Sequence, residues 1–584
     1  MSFVPNFVFT VDQVRRGEQV LLEQQSEQDQ LMKEAARAVA AAAEVMLAVP
    51  RPQHRTGGRV LLLVGSGGNG GDALYAGVLL CAAGWGVDAV LLGREGKVHE
   101  AALDVFREAG GRVLDDIPEV GERTQDYHLL IDGILGIGGH GGLSPEVART
   151  LNGEFYPRVP ILAIDVPSGI NADTGALPEK VEVPARQPSQ EDSPLKIERV
   201  PAHVQADVTV TFGGLRPAHA VATDCGEVVV GDLGLKTEEG ALNLGQSLFN
   251  IFAKDFSEGG SEIQAERAWP DQHPRFDWSA SKQVELRTVR PGIYGLRTEP
   301  GADSDKYSGG VVGVCAGSDA YRGAAVLCTA GAVRATSSMV RYIGSGWEEV
   351  VRALPEVIAH ADVESAGRVQ SWVVGPGRGT DDAAYEELAW LLDRAEALLI
   401  DADAITLLSA HANLREKLRN RTVPTLLTPH AGEFRRLADA LEEEIPDPDE
   451  DRIGAARAMA RTLGCGVLLK GRRTVIAYGV RVRVIDAGSS WGATAGSGDV
   501  LSGIAGALMA EWEAHMEWMK DRYPEWERSL LPDQYQDVET AVRIHSVAAA
   551  LAAQTPDGPA PTSASKIAAA VPQANARLAT WPGQ

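Results

Sequence analysis

Two glycine-bearing segments of this chain end in an aspartate at the start of a helical stretch. In that arrangement backbone amides can hold an anion beside a carboxylate that moves a proton. The later segment reads Ala493-Thr494-Ala495-Gly496-Ser497-Gly498-Asp499 and leads into the apolar, small-residue run Val500 to Leu508. Its amides would face an anion at a helix N-terminus. Asp499 would then accept a hydroxyl proton during phosphoryl transfer, a reaction in which positioning counts for more than basicity. Taken alone, the segment reads equally well as a glycine-rich helix cap with Asp499 complementing the dipole. No G-x-x-x-x-G-K-[ST] occurs, which excludes a P-loop.

The earlier segment, Gly65-Ser66-Gly67-Gly68-Asn69-Gly70-Gly71-Asp72, follows the apolar run Arg59 to Val64 and precedes a helical stretch, Ala73 to Ala83. It contains a formal G-x-G-x-x-G. However, Asp72 would oppose a pyrophosphate seated there, and the run Ala89 to Leu92 ends in Gly93-Arg94 without the acidic residue that binds a ribose. A hydride-transfer dinucleotide site is therefore disfavoured. Asn69 beside Gly-Gly-Asp instead offers oxygens suited to a hard cation or a polar ligand. Two further apolar runs end in carboxylates: Leu129 to Ile131 before Asp132, and Ile161 to Ile164 before Asp165. In an open parallel sheet such strand ends share one edge, which predicts Asn69, Asp132 and Asp165 as neighbours. One such Asp alone reads as a cap; three at equivalent strand ends point to a site. Val166-Pro167-Ser168-Gly169 adds a fixed turn and a hydroxyl oxygen.

Positioning these groups takes short buried strands alternating with Ala/Leu-rich helices, the rhythm of parallel α/β domains, and it occurs in two long stretches. The expected organisation is residues 1–235, a linker at 236–285 where strand-like runs fade, and residues 286–584. Pro178 to Pro201 reads as an exposed insertion. Glu511 to Glu539, with Trp512, Trp518 and Trp526, reads as a helical hairpin packed on its own domain. The chain has 584 residues and a net charge of −25 without any basic run, which argues against nucleic acid. Five cysteines without a C-x-x-C pair fit neither a disulfide scaffold nor a zinc site and suggest a cytoplasmic protein. No signal-like leader or membrane-length apolar run is seen, so no membrane association is expected.

Gly67-Gly68-Asn69-Gly70-Gly71-Asp72, Asp132-Gly-Ile-Leu-Gly and Asp165-Val-Pro-Ser-Gly-Ile-Asn-Ala-Asp-Thr-Gly together resemble the NAD(P)H-hydrate epimerase family. Leu31-Met32 and Thr211-Phe212-Gly213 extend the likeness over about residues 8 to 235. It departs from the family's usual residues at Gly68, Ala73 and Arg216. The resemblance implies potassium at Asn69, Asp132 and Ser168. It also implies substrate against Gly68, Asn69, Gly70, Gly71 and Asp72, against the loop Gly136, Ile137, Gly138, Gly139, His140, Gly141 and Gly142, and against Asp165, which is the catalytic residue.

In the second stretch, strand-to-loop ends recur at Val373 to Gly379, Leu399 to Ala404, Thr428 to Phe434 and Leu468 to Thr474. With Gly-Ser-Asp at 317–319, Tyr321 to Ala324 and Leu354-Pro355-Glu356, this order is similar to the ADP-dependent NAD(P)H-hydrate dehydratases of the ribokinase-like superfamily. Asp305-Lys306-Tyr307 and Ala495 depart from that family's usual residues. The likeness implies ADP against Lys470, Gly471, Arg472, Arg473 and Thr474, and against Ser489, Ser490, Trp491, Gly492, Ala493, Thr494, Ala495, Gly496, Ser497 and Gly498. It implies substrate against Gly377, Gly379, His430, Ala431, Gly432, Glu433, Phe434, Arg435, Arg436 and the catalytic Asp499. Read from its residues alone, His430 is equally well a loop histidine with one structural hydrogen bond.

Both halves together resemble the bifunctional NAD(P)H-hydrate repair enzymes. The fold expected from the likeness is α/β, with two doubly wound domains, Rossmann-like and then ribokinase-like. The activity it implies is interconversion of R and S NAD(P)H-hydrate and dehydration of the S form with ADP, which yields AMP and phosphate. Potassium, magnesium and a homo-oligomeric state are part of the same expectation. The rival is a ribokinase-like vitamin or sugar kinase fused to a non-catalytic nucleotide-binding module, because the Gly-Ser-Gly-Asp helix start serves that whole superfamily.

Overall fold

A computed structural model describes residues 6–49, 58–93, 97–115, 117, 127–139, 141–152, 159–184, 197–237, 240–268, 275–281, 284–289, 299–336, 339–523 and 535–580. Two compact units result. The first is Met1–Ala265 with Gln272–Arg290 and Asp449–Asp451. The second is Glu266–Asp271, Pro291–Pro448 and Arg452–Gln584.

Within the first unit, eight strands form one sheet in the order Leu286–Thr288, Glu227–Gly231, Val208–Phe212, Ile161–Ile164, Tyr127–Gly133, Arg59–Val64, Gly86–Leu91, Arg112–Leu114. All pairs are parallel except the edge strand Leu286–Thr288. Alternate residues of Arg59–Val64 enter two different cores: Val60, Leu62 and Val64 on one face, Leu61 and Leu63 on the other. This is the burial that a parallel sheet covered on both sides requires. Strand order reverses between Arg59–Val64 and Tyr127–Gly133, which opens a crevice at their carboxyl ends.

The second unit has a ten-stranded sheet, with a parallel run from Ile358–His360 through Met339–Ile343, Val311–Cys315, Ser371–Val374, Ala397–Ile400 and Thr425–Leu427 to Gly466–Leu469. Arg473–Tyr478 and Arg481–Asp486 continue it antiparallel. Here order reverses between Val311–Cys315 and Ser371–Val374, and the helix Ser497–Arg522 packs across both.

Several elements differ from expectation. The helix after Arg59–Val64 starts at Gly68, not Ala73, so the glycines form its first turn. An added Cβ on Gly70 would lie 2.1 Å from the Gly65 carbonyl oxygen, so only glycine lets that turn approach the strand end. Residues 236–285, expected as a linker, carry the hairpin Gly234–Thr237 with Gly240–Asn243, the helix Leu244–Ser257 and the strand Glu262–Arg267. That helix is held by an apolar face: Leu244 and Leu248 are buried, while Phe249 and Phe252 meet Phe7. In the insertion, Val181–Pro184 pairs antiparallel with Ile197–Val200, and residues 185–196 lie outside the described ones. Glu511 to Arg522 extends the long helix Ser497–Arg522; Trp526 falls outside the described residues.

Candidate active sites

In the first unit the carboxyl-end crevice gathers the predicted oxygens. Asn69, in the first helical turn, donates through Nδ2 to the Ile164 and Leu135 carbonyls at 2.7 and 3.2 Å, tying two strand ends together. Asp132 is fully buried and accepts from the Ser168 amide (2.8 Å), the Ser168 hydroxyl (2.6 Å) and the Ile134 amide (3.2 Å). Burial still pushes its carboxyl up to about 6 against those hydrogen bonds. Asp165 sits at φ +63°, a conformation that costs an ordinary residue energy and is sustained by its surroundings. Its carboxylate accepts from Thr211 Oγ1 (3.0 Å) and from Nη2 of the wholly buried Arg216 (3.2 Å). Its carbonyl meets His219 Nε2 at 2.6 Å.

A cavity of about 470 Å³ opens over these groups. Gly68, Asn69, Asp72 and Asp165 line it, as does the loop from Gly136 to Gly139. Gly70 and Gly71 do not; an added Cβ on Gly71 would meet Met32 Sδ at 2.4 Å, so that glycine serves close packing. Gly141 and Gly142 are not among the lining residues, and His140 is outside the described residues. Asp72 is buried and held well above the usual carboxylate range, first by burial and then by Asp165 and Glu18. Glu18 also faces this space from the helix Val11–Leu22, and nothing in its local sequence singled it out.

In the second unit, Gly496 caps the helix Ser497–Arg522 at φ +80°, and Asp499 sits in its first turn. Burial pushes Asp499 up to about 7; Asp401 adds to the shift, Lys470 opposes it, and Asp403 and Glu433 raise it further. Lys470 donates from Nζ to Asp401 Oδ1 at 2.7 Å and lies 3.9 Å from Glu433 Oε2. Ser502 Oγ donates to the other Asp401 oxygen at 2.7 Å. A Cβ on Gly498 would stand 3.4 Å from Lys470 Nζ, so the ammonium lies beside the glycine-bearing turn. Ser497 Oγ is 2.8 Å from Nε2 of His545, which burial keeps neutral by pushing it down to about 4.

The other predicted residues surround this centre unevenly. The Gly379 amide donates to Asp403 at 2.8 Å, and Gly377 adopts φ +58° against Tyr321. His430 caps the helix Ala431–Ala438: its Nδ1 accepts from the Gly432 and Glu433 amides, and Glu433 accepts from the His430 amide in return. Phe434 is fully buried and packs in the interior. Arg435 is paired with Asp447 at 2.7 Å, whereas Arg436 donates to Thr406. Beyond Lys470 and Gly471, Arg472 and Arg473 lie 3.5 and 3.4 Å from Asp486, and Thr474 is buried. Ser489 to Ala495 form the turns before the helix, with the Ala493 amide bonded to the Ser490 carbonyl. Asp401, Ser502 and His545 were given no role from sequence; the last two lie inside helices, where no strand end marks them.

Among the described residues, no group of three or more His, Cys, Asp or Glu can hold a metal ion. No helix is long and apolar enough to cross a membrane.

Comparison with known proteins matches residues 312–570 to the family described as NAD(P)H-hydrate dehydratase and residues 28–218 to that described as YjeF-related protein N-terminus. The bifunctional NAD(P)H-hydrate repair enzyme of Corynebacterium glutamicum is 47% identical over 98% of this chain and 98% of its own. That of Mycobacterium leprae is 41% identical over 94% and 95%. Among solved structures, an ADP/ATP-dependent NAD(P)H-hydrate dehydratase from Bacillus subtilis is 24% identical, covers 48% of this chain and 95% of its own, and has a TM-score of 0.38.

Proposed function

The chain belongs to the family of bifunctional NAD(P)H-hydrate repair enzymes, and from that premise we propose a division of labour between its two units. The substrate is a nicotinamide cofactor whose ring has gained water, with a hydroxyl on the carbon beside the ring nitrogen in R or S configuration. The first unit interconverts the epimers at the cavity bounded by Asn69, Asp72 and Asp165. The second transfers a phosphoryl group from ADP to the hydroxyl of the S form. Phosphate then leaves far more readily than hydroxide would, and NADH or NADPH is restored along with AMP.

The observation that carries this reading is the grouping of Asp499, Lys470 and the Gly496-Ser497-Gly498 turn at one helix N-terminus. The turn's amides and the helix dipole hold the migrating phosphoryl group, and Lys470 offsets its charge. Asp499 takes the hydroxyl proton. Its upward shift to about 7 suits a base that must also release that proton near neutrality. Magnesium bound with the nucleotide would neutralise phosphate charge. The glycine-bearing turn and its aspartate serve ADP and ATP alike, and ADP is named by family likeness alone, so the nucleotide is the variable to test. With pure S epimer, recovery of reduced-nicotinamide absorbance should occur with ADP; recovery with ATP alone would make this a kinase-type donor site and contradict the proposal.

At the first site, the Asp132 carboxylate and the Ser168 hydroxyl bonded to it, together with the amide oxygen of Asn69 on the neighbouring helical turn, are the oxygens that would hold a cation. Asp132 is buried with only uncharged hydrogen-bond partners, so the set fits a potassium ion. Potassium would supply positive charge that offsets the carboxylates facing an anionic diphosphate substrate. Asp165, oriented by Thr211 and Arg216, faces the cavity as the residue that meets the substrate ring.

A further inference from the structure

The helix Val11–Leu22 is fixed at several points. Thr10 closes a capping box with Gln13, the Val11 amide donates to Asp173 at 2.7 Å, and Arg16 and Gln13 both hold Asp255 at 2.6–3.1 Å. Val14, Gly17 and Leu21 form its buried face; a Cβ on Gly17 would lie 2.7 Å from Leu248. Glu18 and Leu22, one turn apart, line the 470 Å³ cavity on a neighbouring face. Among the described residues no hydrogen bond engages the Glu18 carboxyl, although it lies within electrostatic reach of Asp165, Asp72, Arg216 and Arg15. A rigid helix thus presents an uncommitted carboxyl to the cavity from an element separate from the strand end that carries Asp165.

We propose that Glu18 is a further catalytic residue of the epimerase site, the group that gives and takes back the proton of the migrating hydroxyl. The inference rests on the epimerase reading above. The step balances without an oxidant or reductant. Glu18 protonates the ring hydroxyl, the C–O bond breaks with its electron pair leaving on water, and the ring nitrogen's lone pair forms a C=N bond. Water then adds its oxygen to the other face of that carbon, the C=N electrons return to nitrogen, and the surplus proton goes back to Glu18. The transient ring is cationic, and Asp165 faces the same cavity with a carboxylate that stabilises it. Burial, followed by Asp165, pushes Glu18 up to about 7 against Arg216 and Arg15, so both protonation states are accessible near neutrality.

The test uses the full chain and R-enriched hydrate, with epimers resolved by chromatography. Glu18→Gln should lower kcat for interconversion by about 100-fold or more, leaving KM within about 3-fold. Dehydration of pure S epimer should stay at the wild-type rate, which reports a folded second unit, and an unchanged urea-unfolding profile reports a folded first unit. Because the protonated form starts the reaction, wild-type kcat/KM should fall as pH rises through about 7, and Glu18→Gln should lose that limb. Glu18→Asp should restore part of the rate. An active wild type with an equally active Glu18→Gln, or with an unchanged pH limb, overturns the assignment of Glu18 alone. A wild type that leaves the epimers unexchanged removes the epimerase reading and this inference with it.

Discussion

A carboxylate that must accept a proton near neutral pH benefits from partial burial, and Asp499 has it. With its carboxyl pushed up to about 7 and the ionised form acting as base, dehydration kcat/KM should drop as pH falls below about 7 and level off above it. Asp499→Asn should cost about 100- to 10,000-fold in dehydration and leave epimer exchange at the wild-type rate; substantial residual dehydration would remove Asp499 from the role. At the other site, replacing potassium by tetramethylammonium should slow epimer interconversion, and an unchanged rate would count against a cation at Asn69, Asp132 and Ser168. These residues were legible in sequence because each closes or follows an apolar run, and such ends share an edge of a parallel sheet. Glu18, Ser502 and His545 were not. Each lies inside a helix, where periodicity reveals the apolar face but not which polar residue looks into a crevice.

Elements hold these residues through close approaches and a few buried charges. Gly375 adopts φ +119°, and an added Cβ there would lie 1.9 Å from the Asp401 carbonyl oxygen. Gly375→Ala should therefore shift the strand end that carries Asp401 and abolish dehydration, with epimer exchange retained in the same preparation. In the first unit, Asp88 is fully buried between strands and accepts from Arg59 (2.6 Å), Arg112 (2.8 Å) and Tyr127 (2.8 Å). Burial raises its carboxyl, but those three partners outweigh it and hold it below its ordinary value. Its stabilising contribution is thus present above the unfolded value of about 4 and is lost as pH falls through the folded one. Asp88→Asn should cost about 2 kcal/mol at pH 7 in urea unfolding, less than a wholly buried pair because both guanidinium groups reach solvent. That difference should shrink in acid. The strand runs were readable from their unbroken apolar character, whereas the helix Leu244–Ser257 was missed because its phenylalanines are interleaved with polar residues in a stretch otherwise rich in charges and glycine.

On the scale of the whole chain, two α/β units follow one another, and the boundary between them is not a single cut. The strand Leu286–Thr288 pairs within the first sheet, while Glu266–Asp271 belongs to the second unit. Severing the chain between residues 285 and 286 would remove a strand from one sheet and a segment from the other unit, so both halves should lose stability. The sequence rhythm announced two α/β halves but not this interleaving, because a three-residue pairing at a sheet edge, as at Leu286–Thr288, has no periodicity to detect. The most direct measurement of the central claim is the extent of repair when the purified full chain receives an equal mixture of R and S hydrate with excess ADP. Complete recovery of reduced-nicotinamide absorbance is predicted for the wild type, and recovery that stops at the S fraction for Asp165→Ala. Recovery that stops at half for the wild type, or that never begins, would contradict the account.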